Sequence, residues 1–325
     1  MRVLTRAVTY LVISMNVLFA NGWIKMQIIT KQKNHRREFY LIHYATQYTI
    51  NDSICPPTRP HLLKKAVTKA CASLDTYLLR KPIAAHTQQA FDNLVELVGP
   101  DISKKQIVLD SGCGTGKSTI LLGESHPNHL VIGVDRSFTR ISKTIQHQPE
   151  HYDWKNHDDN QQDDDYLASS KRPYCQKVSE NTFLVRAELV DFWTCCLQNS
   201  LTISKHYLLY PNPYPTQTRV TQRWYAHPSF PLILQLQSDT IVLRSNWEGY
   251  LKETAKAVEI AYEYYESSSS SSSTNQDMNH ALPYLESARR GPEKRTDKTV
   301  AWTNFEQKYD DVGEETYELI LQSKL

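Results

Sequence analysis

The sequence predicts an α/β fold, a mostly parallel, doubly wound sheet completed by an antiparallel pair. Three observations carry this. The run Ile107-Val-Leu-Asp-Ser-Gly-Cys-Gly-Thr-Gly116 is a short apolar strand that ends in an acid and turns on three glycines toward Lys117-Ser118-Thr119. A second apolar run, Leu130–Val134, ends in Asp135. Beyond it, strand-like and helix-like segments keep alternating, the pattern of a sheet covered on both faces.

Taken in order, His61–Leu79 and Ala84–Val98 have apolar residues at helical spacing, with Pro82 between them and Gly99-Pro100 after the second. Gln106–Leu109 is the first strand of the sheet, and Lys117–Glu124 the helix after it, stopped before Pro127. Leu130–Val134 is the second strand and Phe138–Ile145 its helix. Thr182–Val185 is a strand, Glu188–Leu197 a helix, and His206–Tyr210 a strand that runs into Pro211-Asn-Pro-Tyr-Pro215. Phe230–Leu236 is helical, Thr240–Arg244 is a strand, and Trp247–Tyr265 is a long amphipathic helix. Trp302–Phe305 and Tyr317–Leu321 read as the closing antiparallel pair.

The 325 residues are enough for a full core, but not all of them are core material. Gln161–Ser170 is polar and acidic, and Ser267–Ser273 is unbroken serine. Neither buries enough apolar surface to offset chain entropy. The expected organisation is a leader or basic arm over residues 1–30 and a helical region over 31–99. The catalytic domain then covers 100–325, with polar insertions near 151–180 and 266–280. A net charge of +2 does not by itself announce a nucleic-acid partner. Residues 1–37, however, carry seven Lys and Arg and no acid, which suits an RNA-binding arm or a targeting leader equally. The apolar run Ala7–Ala20 is shorter than the ~20 residues of a membrane span. The six cysteines form no C-x-x-C pair, so no metal site is expected. Cys195 and Cys196 read as packing residues, and reduced thiols fit the interior of a cell or an organelle.

The glycine turn brings backbone close to a small ligand at the carboxyl edge of a sheet. A nucleoside triphosphate competes for it, because Gly114-Thr-Gly-Lys-Ser118 looks like the end of a P-loop. That pattern also needs a glycine at position 111, which is Ser. A dinucleotide would take G-x-G-x-x-G, whereas the glycines here run G-x-G-x-G. The third candidate is S-adenosylmethionine, since Asp-x-Gly-Cys-Gly-Thr-Gly resembles the first motif of the Rossmann-like methyltransferases. Asp135 lies near the ~20-residue spacing of a carboxylate that grips ribose hydroxyls.

A second constellation follows. Prolines stiffen the backbone around Asn212, whose amide offers donors and acceptors. Arg219, Arg223, Trp224 and His227 come next, a set able to hold phosphate and stack a base.

Together, five segments resemble the tRNA (guanine-N7)-methyltransferase family: Asp110–Gly116, Ile132–Asp135, Tyr210–Pro215, Leu243-Arg-Ser-Asn-Trp-Glu-Gly-Tyr250 and Thr303-Asn-Phe-Glu-Gln-Lys308. The likeness spans roughly residues 100–325 and is to a divergent branch. The family's Phe-Pro-Asp-Pro-Trp is Tyr-Pro-Asn212-Pro-Tyr here, its Thr-Asp is Ser245-Asn246, and a lysine after the Pro-Trp element is Thr216. The acid before Ala187 is Arg186, and the family's basic cluster is thinned to Arg219 and Arg223. The resemblance implies a class I Rossmann-like enzyme using S-adenosylmethionine on a variable-loop guanosine of tRNA, with a partner subunit also open. Asp110, Gly112, Gly114 and Gly116 would hold the methionine part and Asp135 the ribose. Arg186, Ala187 and Glu188 would border the adenine. Asn212 takes the place of the catalytic acid. Arg219 and Arg223 would meet RNA, and Asn246, Thr303 and Glu306 would line the guanine side. His86 reads as a helix-end residue. Two other readings stay open: methylation of an exocyclic amine, because Asn-Pro-Tyr-Pro resembles the Asn-Pro-Pro-Tyr of amino-methylating enzymes, and a non-catalytic protein on the same fold.

Overall fold

The computed structural model describes residues 57–147, 174–269 and 284–323, and the backbone of three N-terminal strands. The chain divides into two compact units, Met1–Ile54 and Cys55–Leu325. In the first, β1 (Tyr10–Phe19), β2 (Gly22–Lys33) and β3 (Arg36–Ile42) form an antiparallel meander. These stretches are rich in Val, Ile, Tyr and Phe, which favour strands. They lie within the segment expected as a leader or arm and the start of the expected helical region; among the described residues the first helix begins at Pro60.

The second unit is built on an eight-stranded sheet. Its central strands are β4 (Ile107–Ser111), β5 (Leu130–Asp135), β7 (Thr182–Arg186), β8 (Ile203–Leu209) and β9 (Thr240–Ser245), all parallel to their neighbours among these five. β4, β5 and β7 are buried at every position, which is why they read as unbroken apolar runs rather than alternating ones. The edges are antiparallel. β6 (Tyr174–Lys177) pairs with β7, β11 (Tyr317–Gln322) with β9, and β10 (Glu293–Lys294) with β11. The order β10-β11-β9-β8-β4-β5-β7-β6 puts the topological switch between β5 and β8, on either side of β4. Ligands of open α/β sheets bind outside the strand ends at such a point.

The helices are α1 (Pro60–Arg80), α2 (Ala85–Val98), α3 (Lys117–Ser125), α4 (Phe138–His147), α5 (Leu189–Gln198), α6 (Phe230–Gln235), α7 (Glu248–Ser269), α8 (Leu285–Arg290) and α9 (Asn304–Asp310). α2 docks on α5 through Phe91 and Phe192, whose rings meet edge to face at 5.6 Å.

Three elements differ from the sequence reading. Trp302–Phe305 is not a strand: Asn304 opens a helix there. Thr303 is its N-cap and its hydroxyl accepts the Glu306 N–H at 3.0 Å, a capping-box pairing that outweighs the short apolar pattern. β11 pairs instead with β9 on one side and β10 on the other, both antiparallel. The long helix α7 continues through Ser269, into the serine run. Ser267 and Ser268 return their hydroxyls to the carbonyls of Glu263 and Tyr264, at 2.6 and 2.8 Å, the back-bond that a serine inside a helix makes. Finally, the end of the first insertion, Tyr174–Lys177, returns as an edge strand beside β7. Gln161–Ser170 lies outside the described residues.

Candidate active site

Gly112, Gly114 and Gly116 follow β4 with φ of +83°, +61° and +77°, the left-handed region that glycine enters without penalty. A Cβ on Gly112 or Gly114 would meet nothing within 4 Å, so the turn leaves open space on its ligand side. Asp110 lies beneath it, 1 % exposed. Its Oδ2 accepts from the hydroxyls of Ser118 (2.6 Å) and Thr119 (2.7 Å), while Oδ1 is buried with no partner in the chain. Burial pushes this carboxyl up to about 6, against the pull of the two hydroxyls. Asp135 ends β5. Its Oδ2 accepts the Gly114 N–H at 3.1 Å and its Oδ1 the Ser137 N–H at 2.8 Å, so one carboxylate ties the glycine turn to the next strand. Arg140 pairs with it at 3.2 Å from the solvent side.

Ala187 is fully buried just after β7, its N–H donating to the Asp135 carbonyl at 3.2 Å. Arg186 is 5 % exposed and lies over the Phe138 ring at 6.0 Å. The Glu188 N–H donates to Thr87 Oγ1 at 3.2 Å, an anchor from α2 that the sequence reading did not single out. Beside them lies a cleft of about 460 Å³ lined by Gly112, Asp135, Glu188 and Asn212 and also by Tyr77 and Trp224; Asp110, Gly114, Gly116, Arg186 and Ala187 are not among its lining residues.

Asn212 stands exposed at the lip of this cleft, between two residues with unusual backbone. Tyr210 and Tyr214 have φ of +53° and +43°, strained values for non-glycine residues. The Tyr214 N–H donates to Asn212 Oδ1 at 3.1 Å. An N–H can only meet the oxygen, so the Asn212 amide donors are free to point elsewhere.

Arg223 corrects the expectation of a phosphate contact. It is fully buried. Its Nη1 donates to Glu253 Oε2 at 2.6 Å, and its Nη2 and Nε reach the Tyr214 carbonyl at 3.1 and 3.3 Å. Its guanidinium also covers the Trp247 ring at 4.7 Å. A lone arginine is usually exposed; this one is buried because Glu253, on α7, neutralises it. Its visible task is to clamp the strained loop from below. Arg219 is exposed on a 3₁₀ turn and free of that network.

The C-terminal residues flank the same loop without lining the cleft. Glu306 is 0 % exposed. One oxygen takes Arg244 Nη1 at 2.9 Å and lies 3.5 Å from Arg295, and the other takes the Trp302 N–H at 2.6 Å. That engagement corrects its expected place at the guanine side: it organises Arg244, whose carbonyl receives the Tyr210 N–H at 2.9 Å. Thr303 is consumed as the α9 cap. Asn246 is 8 % exposed, and its Nδ2 has no partner in the chain. Cys195 and Cys196 are buried packing residues, and burial raises both thiols, Cys195 to about 11. Among the described residues, no group of three or more His, Cys, Asp or Glu is placed to hold a metal, and no helix is long and apolar enough to cross a membrane.

A parallel sheet with a glycine turn and two strand-end acids at its switch point defines a Rossmann-like methyltransferase. A family model described as "Putative methyltransferase" matches residues 104–319, and the chain belongs to that family, whose cofactor is S-adenosylmethionine. No curated protein matches the chain significantly. Solved structures similar to it include the antibiotic-resistance methyltransferase Kmr (14 % identity, 72 % of this chain and 92 % of that chain, TM-score 0.33). A variant of the 16S rRNA (adenine(1408)-N(1))-methyltransferase from Catenulisporales acidiphilia, with cosubstrate, is 12 % identical over 74 % of this chain and 92 % of that chain (TM-score 0.35). The plantazolicin methyltransferase BpumL is 11 % identical over 82 % of this chain and all of that chain (TM-score 0.32). The residues present fit the cofactor: open backbone at Gly112 and Gly114, an unpartnered buried oxygen on Asp110, and the Asp135 carboxylate beside them.

Proposed function

We propose that the protein methylates N7 of a guanosine in the variable loop of tRNA. The observation that carries this is the Asn212 amide at the lip of the cofactor cleft, its oxygen already held by the Tyr214 N–H. The bound cofactor supplies an electrophilic methyl group. Guanine N7 has an in-plane lone pair and needs no proton removed, so the protein's part is alignment. Asn212, held by the Tyr214 N–H, sets the plane of the ring. Asp110 and the three glycines hold the methionine end, Asp135 the ribose, and Arg186, Ala187 and Glu188 the adenine border. Arg219, on the exposed turn, meets backbone phosphate, and the unpartnered Asn246 amide faces the substrate side. Thr303 and Glu306 act there indirectly, through the helix that supports Tyr210.

The exocyclic-amine reading has Asn212 Oδ1 accept from the target NH₂ with its second lone pair, beside the Tyr214 N–H, so the product separates the two readings. Transfer from labelled S-adenosylmethionine to total tRNA, followed by nucleoside analysis, tests it. N7-methylguanosine is the expected product. Another methylated base would sink the assignment of the atom. No product despite measured cofactor binding would favour a non-catalytic protein.

A further inference from the structure

The far wall of the cleft is aromatic and comes from elements outside the recognised motifs. Tyr77 belongs to α1, Trp224 and His227 to the segment after the proline loop. The Tyr77 and His227 rings meet edge to face at 5.2 Å, and those of His227 and Trp224 at 6.0 Å. Trp224 leans in turn on buried Trp193, at 5.2 Å. Tyr77 continues the buried stripe Leu63, Val67, Ala70, Cys71 and Leu74 of α1, yet it is only half-buried, because the stripe runs off the core and onto the cleft.

The wall is fixed in place. Buried Asp191 on α5 accepts the Ala84 N–H at 3.0 Å and pairs with Lys81 at 3.5 Å, which locks the end of α1 against α5. Ser229 brings its Oγ to 2.7 Å and its N–H to 3.2 Å of His227 Nδ1, which holds the ring in place. Burial, with Lys81 nearby, lowers the His227 pKa. An uncharged wall suits a site in which the acceptor ring becomes a cation.

We propose that Tyr77, Trp224 and His227 form the receptor for the accepting nucleobase, which stacks on the two larger rings. This rests on the reading of the substrate as RNA and adds the first helical region to the active site. Base stacking is sequence-tolerant and sensitive to loss of one ring, by roughly ten- to a hundredfold in affinity.

The test uses the full chain and three variants, Tyr77→Ala, Tyr77→Phe and His227→Ala. Tyr77→Ala is expected to raise the KM for tRNA about tenfold or more. His227→Ala, which removes the ring that Tyr77 and Trp224 both lean on, should raise it in the same direction. S-adenosylhomocysteine affinity should stay within about twofold of wild type, as these rings face the acceptor rather than the cofactor. Tyr77→Phe restores most of the loss, because the ring and not the hydroxyl stacks. Unchanged kcat/KM in Tyr77→Ala, or an equal loss of S-adenosylhomocysteine affinity, overturns the inference while leaving guanine-N7 transfer intact. If wild type yields no N7-methylguanosine, quenching of tryptophan fluorescence by short single-stranded RNA decides the matter. Quenching in wild type that is lost in Tyr77→Ala supports a base receptor with another product. No quenching in wild type overturns the receptor as well.

Discussion

Removing the Asp135 carboxylate separates the cofactor's hold on the protein from the protein's hold on itself. The carboxylate is 4 % exposed and accepts two backbone N–H groups, from Gly114 at 3.1 Å and Ser137 at 2.8 Å. On the proposed site, Asp135→Ala should remove charge-assisted hydrogen bonds to ribose worth roughly 1.5–3 kcal/mol, or one to two orders of magnitude in affinity. It also strands the two N–H groups. The Gly114 side is partly wet, so stability should fall by about 1–3 kcal/mol in total, at the low end of the range for orphaned donors. Arg140→Ala is the control with the opposite sign. Arg140 is half-exposed and competes with the ribose for Oδ2, so its loss should leave affinity unchanged or raise it a few-fold. Calorimetry with S-adenosylhomocysteine on both variants, with melting curves to confirm folding, makes the comparison. The reasoning fails if folded Asp135→Ala binds within about threefold of wild type, or if Arg140→Ala loses as much affinity as Asp135→Ala.

Two further outcomes follow from the same site. Burial raises the Asp110 carboxyl from the usual 3.8 to about 6. Its contribution to stability is thus present below about pH 4 and lost as pH rises through about 6. The cofactor's ammonium favours the ionised form, so affinity for S-adenosylhomocysteine should climb between about pH 5 and 7 and then level off; calorimetry across that range that stays flat in wild type, or that climbs unchanged in Asp110→Asn, would contradict this. Asn212→Asp should keep or raise single-turnover N7 transfer, because negative charge near the methyl favours a cationic product; a strong loss would instead point to an exocyclic amine.

The cofactor half of this protein was legible in sequence because its determinants are local. Three glycines need left-handed φ, and the strand ends that carry Asp110 and Asp135 are short apolar runs that only a doubly covered parallel sheet explains. The substrate half was not legible in the same way. Whether Arg223 faces RNA or the core depends on Glu253, thirty positions on and one helix away, and no window of sequence around Arg223 contains that. Tyr77 was hidden for the opposite reason. Its helical spacing is that of a core residue, and only the tertiary path of α1 shows the stripe emerging into the cleft. Trp302–Phe305 was misread although the signal was present: Thr303 followed three residues later by Glu306 is a helix start, and the apolar pair around it drew the strand reading.

The burial of Arg223 makes the loop and the fold separable by one substitution. Its Nη1 neutralises Glu253, whereas Nη2 and Nε grip the Tyr214 carbonyl. Arg223→Ala leaves Glu253 buried without a countercharge, held only by the Thr58 and Tyr225 donors, which costs up to about 3–5 kcal/mol and is expected to lower the melting temperature. Arg223→Lys keeps a cation for Glu253 but has no planar fork, so it cannot hold that carbonyl at the same time. The left-handed conformation of Tyr214 then loses the contact that holds it, and Asn212, which is oriented by the Tyr214 N–H, loses its fixed direction. Arg223→Lys should therefore melt much closer to wild type than Arg223→Ala does, with S-adenosylhomocysteine affinity unchanged and kcat lowered about tenfold or more, the scale on which misplaced alignment acts. Full kcat in a stably folded Arg223→Lys would show that the clamp on the proline loop is not what positions Asn212.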